Sequence, residues 1–472
     1  MPNFNLESRP PWYDFQEKIT SAVLSETVTE ISPYTFYECE NLKTVDIPDS
    51  VRYIGAYAFA FSGLETVTLP DNLRFISRYC FKNCKNLKTV ILPENLLLIE
   101  LSAFESSGVE TITFRESLTS IAEKAFYNCK NLKTVTLPDS VTEFGDYAFA
   151  NSAIEEITLS ENLTNIPFKC FSYCNIKTIT IPDSVTNIAD FAFEYSDIET
   201  ITLSENLEQL GDFCFYNCKK LKTVIIPESI TNIGNYTFAY SGIETVTFPK
   251  NLSYVPSYCF LNCENLKTVT VPDCVTNIGE SAFEGSGIET VTLPASLTKI
   301  PDYCFKKCVN LKSIVLPDSV SDIGNYAFAY SGIETITIPE NTENLKKNCF
   351  YGCNNLETVD FSDTSIEFGD DCFIECPNAV FYCYRNTAAE AYALTNNIPI
   401  VYKERYKCGD INLDGYINLD DVVMLLRHVS KASIITNSDS LAAANIVEDG
   451  VLNLDDVVRL LRYVSKAIPS LK

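Results

Sequence analysis

The sequence predicts a solenoid of short parallel strands with turn or short-helix returns, about 16 repeats of 22–23 residues, followed by a small all-α module. Three observations carry this prediction. A phenylalanine returns at near-constant spacing through most of the chain. Within each interval, apolar residues alternate as they do in a half-buried strand. At residues 406–472 the phrase gives way to two acidic loops, each running into an amphipathic helix.

The landmark residues are Phe36, Phe59, Phe81, Phe104, Phe126, Phe149, Phe171, Phe193, Phe215, Phe238, Phe260, Phe283, Phe305, Phe328, Phe350 and Phe373. A period in the twenties marks a stacked solenoid, whose units bury their apolar faces only against their neighbours. The L-x-x-V-x-L phrase (Leu132, Val135, Leu137) places apolar residues at period two, which reads as a short strand with its inner residues buried. A proline often follows, as at Pro48, Pro93, Pro138 and Pro182, and ends the strand because it has no N–H for a ladder. The I-G-D-Y-A-F segment returns the chain and sets Ile, a small residue and Phe inward.

These phrases resemble the BspA-like leucine-rich repeats of bacterial surface proteins over about residues 12–400. The resemblance implies four segments: an N-terminal cap at 1–30 (Trp12, Tyr13, Ile19), leucine-rich repeats at 31–376, a C-terminal cap at 377–405, and the separate module at 406–472.

The units alternate. After the first strand residue one flavour carries lysine and the next glutamate, from Lys43 and Glu65 through Lys133 and Glu155 to Lys312 and Glu334. A ligand-reading stripe and a self-neutralising ladder both fit. The ladder is the simpler, because each charge then stands beside two opposite ones and neighbouring columns are mostly Thr, with no aromatics to anchor a partner. Tyrosines recur two residues before the landmark (Tyr57, Tyr79, Tyr147, Tyr236, Tyr258, Tyr303, Tyr326). They read as half-buried edge packing with a wet hydroxyl, and a glycan-stacking row is the alternative.

Nineteen cysteines include seven C-F-x-x-C pairs, among them Cys80/Cys84 and Cys349/Cys353. Neighbouring units carry Ala or Ser in the same slots, so the slots ask for a small side chain, which a buried thiol supplies. Cysteines of one column mostly lie two turns apart, about 10 Å, beyond disulfide reach. The repeats contain no histidine for a zinc site. Reduced buried thiols are the expectation.

The formal net charge is −26, nearly all of it in the repeats, which argues against nucleic acid and anionic membranes as partners. No stretch of about 18 apolar residues is present to span a bilayer. The start, MPNFNLESRPPWYDF, shows no signal peptide; a cytosolic protein and a mature form with an added Met both fit.

The stretch CGDINLDGYINLDD has the spacing of a twelve-residue calcium loop: Asp410, Asn412, Asp414, the Tyr416 carbonyl, Asn418 and Asp421, with Gly415 at the sharp turn. A second copy offers Asn445, Asp449, Asn453 and Asp456, but Val447 stands where an oxygen is due, so the second site is expected to hold Ca2+ more weakly. The following helices match at 13 of 15 positions, 418–432 against 453–467. Duplicated loop-and-helix units with Asp at the twelfth position resemble the type I dockerin of cellulosomal proteins.

That resemblance implies calcium-dependent docking onto a cohesin domain of a scaffoldin. The docking residues it implies are Leu419, Asp420, Leu426, Arg427 and Lys431 in one copy and Leu454, Asp455, Leu461, Arg462 and Lys466 in the other. It also implies an extracellular, cellulosome-associated protein. Nothing reads as catalytic: the acidic residues recur in equivalent places, and the only histidine, His428, lies in the docking module. The expected function is therefore a non-catalytic cellulosome component whose solenoid contacts a protein, a plant polysaccharide or a cell surface. A structural spacer and a polysaccharide-degrading subunit are the alternatives.

Overall fold

The computed structural model describes residues 4, 10–362, 365–403, 408–413, 416–447, 450–466 and 471. It divides into two compact units, Met1–Val359 with Ile366–Ala379, and Asp360–Ser365 with Val380–Lys472.

The first unit is a parallel-strand solenoid, and the chain as a whole makes about 17 turns. The count exceeds the number of landmark phenylalanines because Val380–Cys383 is a further strand with no such Phe after it. Each turn lays down a first strand such as Thr134–Thr136, with its threonines exposed and Val135 buried. Successive first strands pair in parallel without slippage: Thr66 opposite Thr89, Val67 opposite Val90, Thr68 opposite Ile91. A one-residue slip would turn the buried Val and Ile column to solvent, which fixes the register.

The sequence reading placed one strand in each turn, and the structure has two. Pairs such as Asn187–Ile188 and Gln209–Leu210 form a second parallel sheet, Ile188 opposite Leu210. On the third side the returns also bond from turn to turn. The Phe81 N–H donates to the Ala103 carbonyl and the Phe104 N–H to the Ala125 carbonyl, both at 2.8 Å. Backbone hydrogen bonds thus link neighbouring turns on all three sides.

The landmark rings stack in one continuous column from Phe36 to Phe373, with centroids 5.0–5.9 Å apart and planes within 18° of parallel. Trp12 lies over Phe36 at 6.2 Å and donates its indole N–H to the Thr35 carbonyl at 3.0 Å, so it covers the first ring of the column.

The returns carry a conformation that the sequence advertises only in some turns, where asparagine or glycine stands two residues after the landmark, as at Asn83, Asn128 and Gly285. Residues two before and two after the landmark sit at positive φ, for example Tyr57 and Phe61, both at 58°. Non-glycine residues seldom adopt this region. Here it lets alternate N–H groups of the return (Tyr57, Phe59, Phe61) all donate to the next turn. The glycines of the S-G-x-E phrase serve another purpose. Gly63 needs no positive φ, but a Cβ there would overlap the Glu40 carbonyl oxygen, because the shorter turn cuts its corner against the backbone below.

In the second unit, Val380–Cys383 pairs in parallel with Ile400–Tyr402, joined by helix α1 (Ala388–Thr395), whose N-terminus is capped by the Thr387 hydroxyl. Lys403 donates to Asp360 at 2.6 Å and to the Phe361 carbonyl at 3.1 Å. The tail holds helices α2 (Leu419–Val429), α3 (Ser438–Ala444) and α4 (Leu454–Val464). Among the described residues no helix is long and apolar enough to cross a membrane.

Candidate functional site

The tail is built twice from one plan. Asn418 caps α2 and Asn453 caps α4, each in a reciprocal capping box with the acid three residues on, Asp421 or Asp456. Both helices bury the same face, Asp421, Val422 and Leu425 in α2 and Asp456, Val457 and Leu460 in α4. Ile411, Ile435, Ala444, Ile446 and Leu471 complete a small core between them.

The buried acids close the loops. Asp421 Oδ1 accepts the N–H groups of Ile411 (2.7 Å) and Asn412 (3.1 Å), while Oδ2 accepts that of Asn418 (2.8 Å). Asp456 repeats the pattern with Val447 at 2.9 Å and Asn453 at 3.0 Å. The twelfth residue of each loop is thus drawn back to the loop's start. Asp410 is buried, Asn412 and the Tyr416 ring are exposed, and Asn418 and Asn453 are half-buried at their caps. Asp414 and Asp449 lie outside the described residues.

Among the described residues, no three His, Cys, Asp or Glu side chains converge on one point. A calcium loop, however, also draws on amide and backbone oxygens. The second loop contains one such oxygen: Asn445 Oδ1, at the first ligand position, is buried and has no hydrogen-bond partner. An unpartnered buried carbonyl is costly, and a hard cation satisfies it. The donor set therefore fits calcium. Asp410, Asn412, Asn418 and Asp421 would hold it in the first loop, and Asn445, Asn453 and Asp456 in the second.

The residues that the dockerin resemblance singles out are exposed in matched pairs. Leu419 and Leu454 are 60% and 61% exposed, and Leu426 and Leu461 are both 44% exposed. Asp420, Arg427 and Lys431 are open to solvent, as are Asp455, Arg462 and Lys466. Sequence reasoning missed Val423 and Val458, which are also exposed and complete an i, i+4, i+7 apolar stripe with the two leucines of each helix. The helical step from Leu419 to Leu426 was the signal that could have found them. His428 has a structural role, its Nδ1 accepting the Ile435 N–H at 2.9 Å beyond the end of α2.

Comparison with known proteins identifies the repeats. The profile of the BspA type leucine rich repeat region matches residues 12–132, 97–198, 164–289 and 276–398. The chain belongs to this family. Among solved structures, a leucine-rich repeat protein from Bacteroides ovatus has a TM-score of 0.55 at 24% identity, over 81% of this chain and 92% of its own. One from Eubacterium ventriosum has a TM-score of 0.44 at 24% identity, over 71% and 88%. No curated protein matches the chain.

On the BspA-type solenoid, the Lys/Glu column resolves into discrete pairs. Lys43–Glu65, Lys133–Glu155, Lys267–Glu289 and Lys312–Glu334 lie 2.9–3.4 Å apart, each lysine reaching the glutamate that follows. Among the described residues of this column, only Lys177 reaches back to the glutamate before it, Glu155, at 3.9 Å. The expected two-sided ladder is thus mostly one-sided, and such exposed pairs contribute about 0.2–1 kcal/mol each.

The tyrosines two before the landmark are half-buried, and their faces are taken up by each other. Tyr34–Tyr57–Tyr79 stack at 4.9 and 4.5 Å, and Phe191–Phe213–Tyr236–Tyr258 at 4.6, 4.6 and 4.4 Å. Lysines sit over rings of these rows, Lys82 on Tyr79 at 5.3 Å and Lys169 on Phe191 at 4.5 Å. Edge packing therefore accounts for this row, and it offers a sugar few free faces. A second aromatic row, two residues after the landmark, escaped the sequence reading: Tyr173, Tyr195, Tyr240 and Tyr330 are each about 40–50% exposed.

The cysteines of the solenoid turns, from Cys39 to Cys383, are free thiols. Those three residues after the landmark share a hydrogen-bond pattern with the serines between them. Cys84 Sγ donates to the Phe59 carbonyl at 3.0 Å and lies 3.4 Å from the Ser62 hydroxyl, and Cys129, Cys218, Cys263 and Cys308 do the same in their own turns. Burial pushes each of these five thiols up to about 12. A raised thiol pKa means the group stays protonated, and so unreactive, at pH 8. With Ellman's reagent at that pH, the native protein is expected to react within minutes at no more than the three half-buried thiols, Cys274, Cys376 and Cys408. Guanidinium should release all nineteen. Fast native labelling of Cys84 or Cys129 would contradict this packing.

Proposed function

We propose that the protein is a non-catalytic, extracellular cellulosome component. Its tail is a type I dockerin that docks onto a scaffoldin cohesin in the presence of calcium, and its solenoid carries the binding surface. The observation that carries the reading is the duplication of one exposed set: Leu419, Asp420, Leu426, Arg427 and Lys431 match Leu454, Asp455, Leu461, Arg462 and Lys466 in both identity and exposure. Monomeric soluble proteins rarely keep such apolar stripes open unless a partner covers them. Calcium supplies the positive charge that orders the acidic loops, and the unpartnered Asn445 Oδ1 supports a second site. Val447, which brings no oxygen, makes that second site the weaker.

For the solenoid, the exposed patch of Tyr173, Tyr195 and Tyr240 suits a protein partner, since tyrosine is favoured at the centres of protein interfaces. The spacer reading keeps one support, the pairwise neutralisation of the Lys/Glu face.

The test uses the full chain. Immobilised type I cohesin should retain it in millimolar CaCl2 and release it on adding EDTA. Absence of retention, or retention indifferent to EDTA, removes the docking reading.

A further inference from the structure

The alternation of thiol and hydroxyl breaks at one place. Three residues after each landmark the column reads Cys, Ser, Cys, Ser from Cys39 to Cys353; at the next turn, where serine is due, stands Cys376. The column one residue before the landmark breaks in the same turn, with Cys349 followed by Cys372. Everywhere else in these two columns a non-cysteine turn separates the thiols.

The two turns are in close register. The Phe350 N–H donates to the Cys372 carbonyl at 3.0 Å and the Gly352 N–H to the Ile374 carbonyl at 2.9 Å, and the Phe350 and Phe373 rings lie 5.0 Å apart. Equivalent residues one turn apart are about 4.8 Å from each other. That is inside the Cα window of roughly 4.4–6.8 Å for a disulfide, and two turns is outside it. Cys353 Sγ donates to the Phe328 carbonyl and Cys376 Sγ to the Phe350 carbonyl, both at 3.1 Å, so the two thiols hold equivalent places in successive turns. A hydrogen bond with the Cys376 thiol holds Cys353 below its usual pKa, the reverse of the rise at Cys84 and its equivalents, and pushes Cys376 up in turn. The four thiols of these turns do not gather around a point, since among the described residues no three such side chains could hold a metal ion.

We propose that Cys353 and Cys376 form a reversible disulfide that fastens the last two Phe-bearing turns to each other. Cys376 is half-buried and Cys353 buried, so Cys376 meets the oxidant, a small disulfide such as oxidised glutathione. The small thiolate fraction that the raised pKa of Cys376 leaves attacks one sulfur of that disulfide, breaking its S–S bond and releasing one thiol. The Cys353 thiolate then attacks Cys376 Sγ, which forms the internal S–S bond and expels the second thiol. The protein gives up two electrons and two protons, and the oxidant takes up both. Cys349 and Cys372, both buried, stay reduced at first.

The full chain is equilibrated at graded ratios of oxidised to reduced glutathione, quenched in acid, alkylated in denaturant and cut with a glutamyl endopeptidase. Cleavage after Glu343, Glu357, Glu367, Glu375 and Glu390 places Cys349 and Cys353 in peptide 344–357, Cys376 and Cys383 in 376–390 and Cys372 in 368–375, and fragment sequencing of the joined peptides reads which cysteine of each is bonded. Oxidation is expected to join 344–357 to 376–390 and to remove two of the nineteen alkylations, with dithiothreitol restoring both. Cys376→Ser puts into the slot the residue that seven other turns carry there, so it should keep the native circular dichroism and lose the cross-link. The proposal is overturned if both thiols still alkylate at every ratio, if 344–357 joins 368–375 instead, or if the cross-link survives in Cys376→Ser.

Discussion

Replacing Leu426 and Arg427 with alanine should weaken cohesin binding by only about twofold, whereas adding Leu461→Ala and Arg462→Ala should abolish it. The expectation follows from two equivalent faces. When either can dock, losing one halves the number of bound arrangements, about 0.4 kcal/mol at the RT of 0.59 kcal/mol. Losing both removes the buried apolar and guanidinium anchors, for which hot-spot truncations cost 2 kcal/mol or more each. All four side chains are exposed, so folding should be nearly unaffected, within about 0.5 kcal/mol. Titration calorimetry of the full chain against cohesin, with circular dichroism as the folding control, decides the matter. A loss of a hundredfold from one face alone would show that the duplication is not used.

The second large effect is expected in the aromatic column. Phe215 is fully buried, with Phe193 at 5.4 Å on one side and Phe238 at 5.5 Å on the other. Phe215→Ala should cost about 3–5 kcal/mol, because a cavity opens and both ring contacts are lost. In a solenoid each turn is supported only by its neighbours, so the loss should also split the urea transition into two steps. Tyr173→Ala, half-exposed on the same returns, should cost about 1 kcal/mol or less. Equal losses at the two positions would mean that the stacked column does not hold the turns together.

The stack, its period and its inner residues were legible in the sequence because burial acts on every turn alike, and sixteen phenylalanines report it. The second sheet was not. Its strands are two residues long, as at Tyr53–Ile54, too short for any alternation to show. The left-handed backbone at Tyr57 and Phe61 was hidden for another reason. No glycine or asparagine marks it there, and hydrogen bonds between turns impose it on residues of no special propensity. In the tail, oxygen spacing disclosed the loops and duplication disclosed the helices. Val423 and Val458 passed unnoticed because an apolar residue in an amphipathic helix is first assigned to the core.

The alternating turns also bear on how such a chain can change length. Phe59 to Phe104 spans 45 residues, one lysine turn and one glutamate turn. Excising the turn that holds Ser152 and Glu155 would bring Lys133 beside Lys177 and Cys129 beside Cys174. Like charges would then adjoin, and two sulfurs would come within bonding range. Excising a pair preserves both the Lys/Glu and the Cys/Ser alternation. Duplication and deletion in this gene are therefore physically quiet only in even numbers, and the molecule grows or shrinks by a double step.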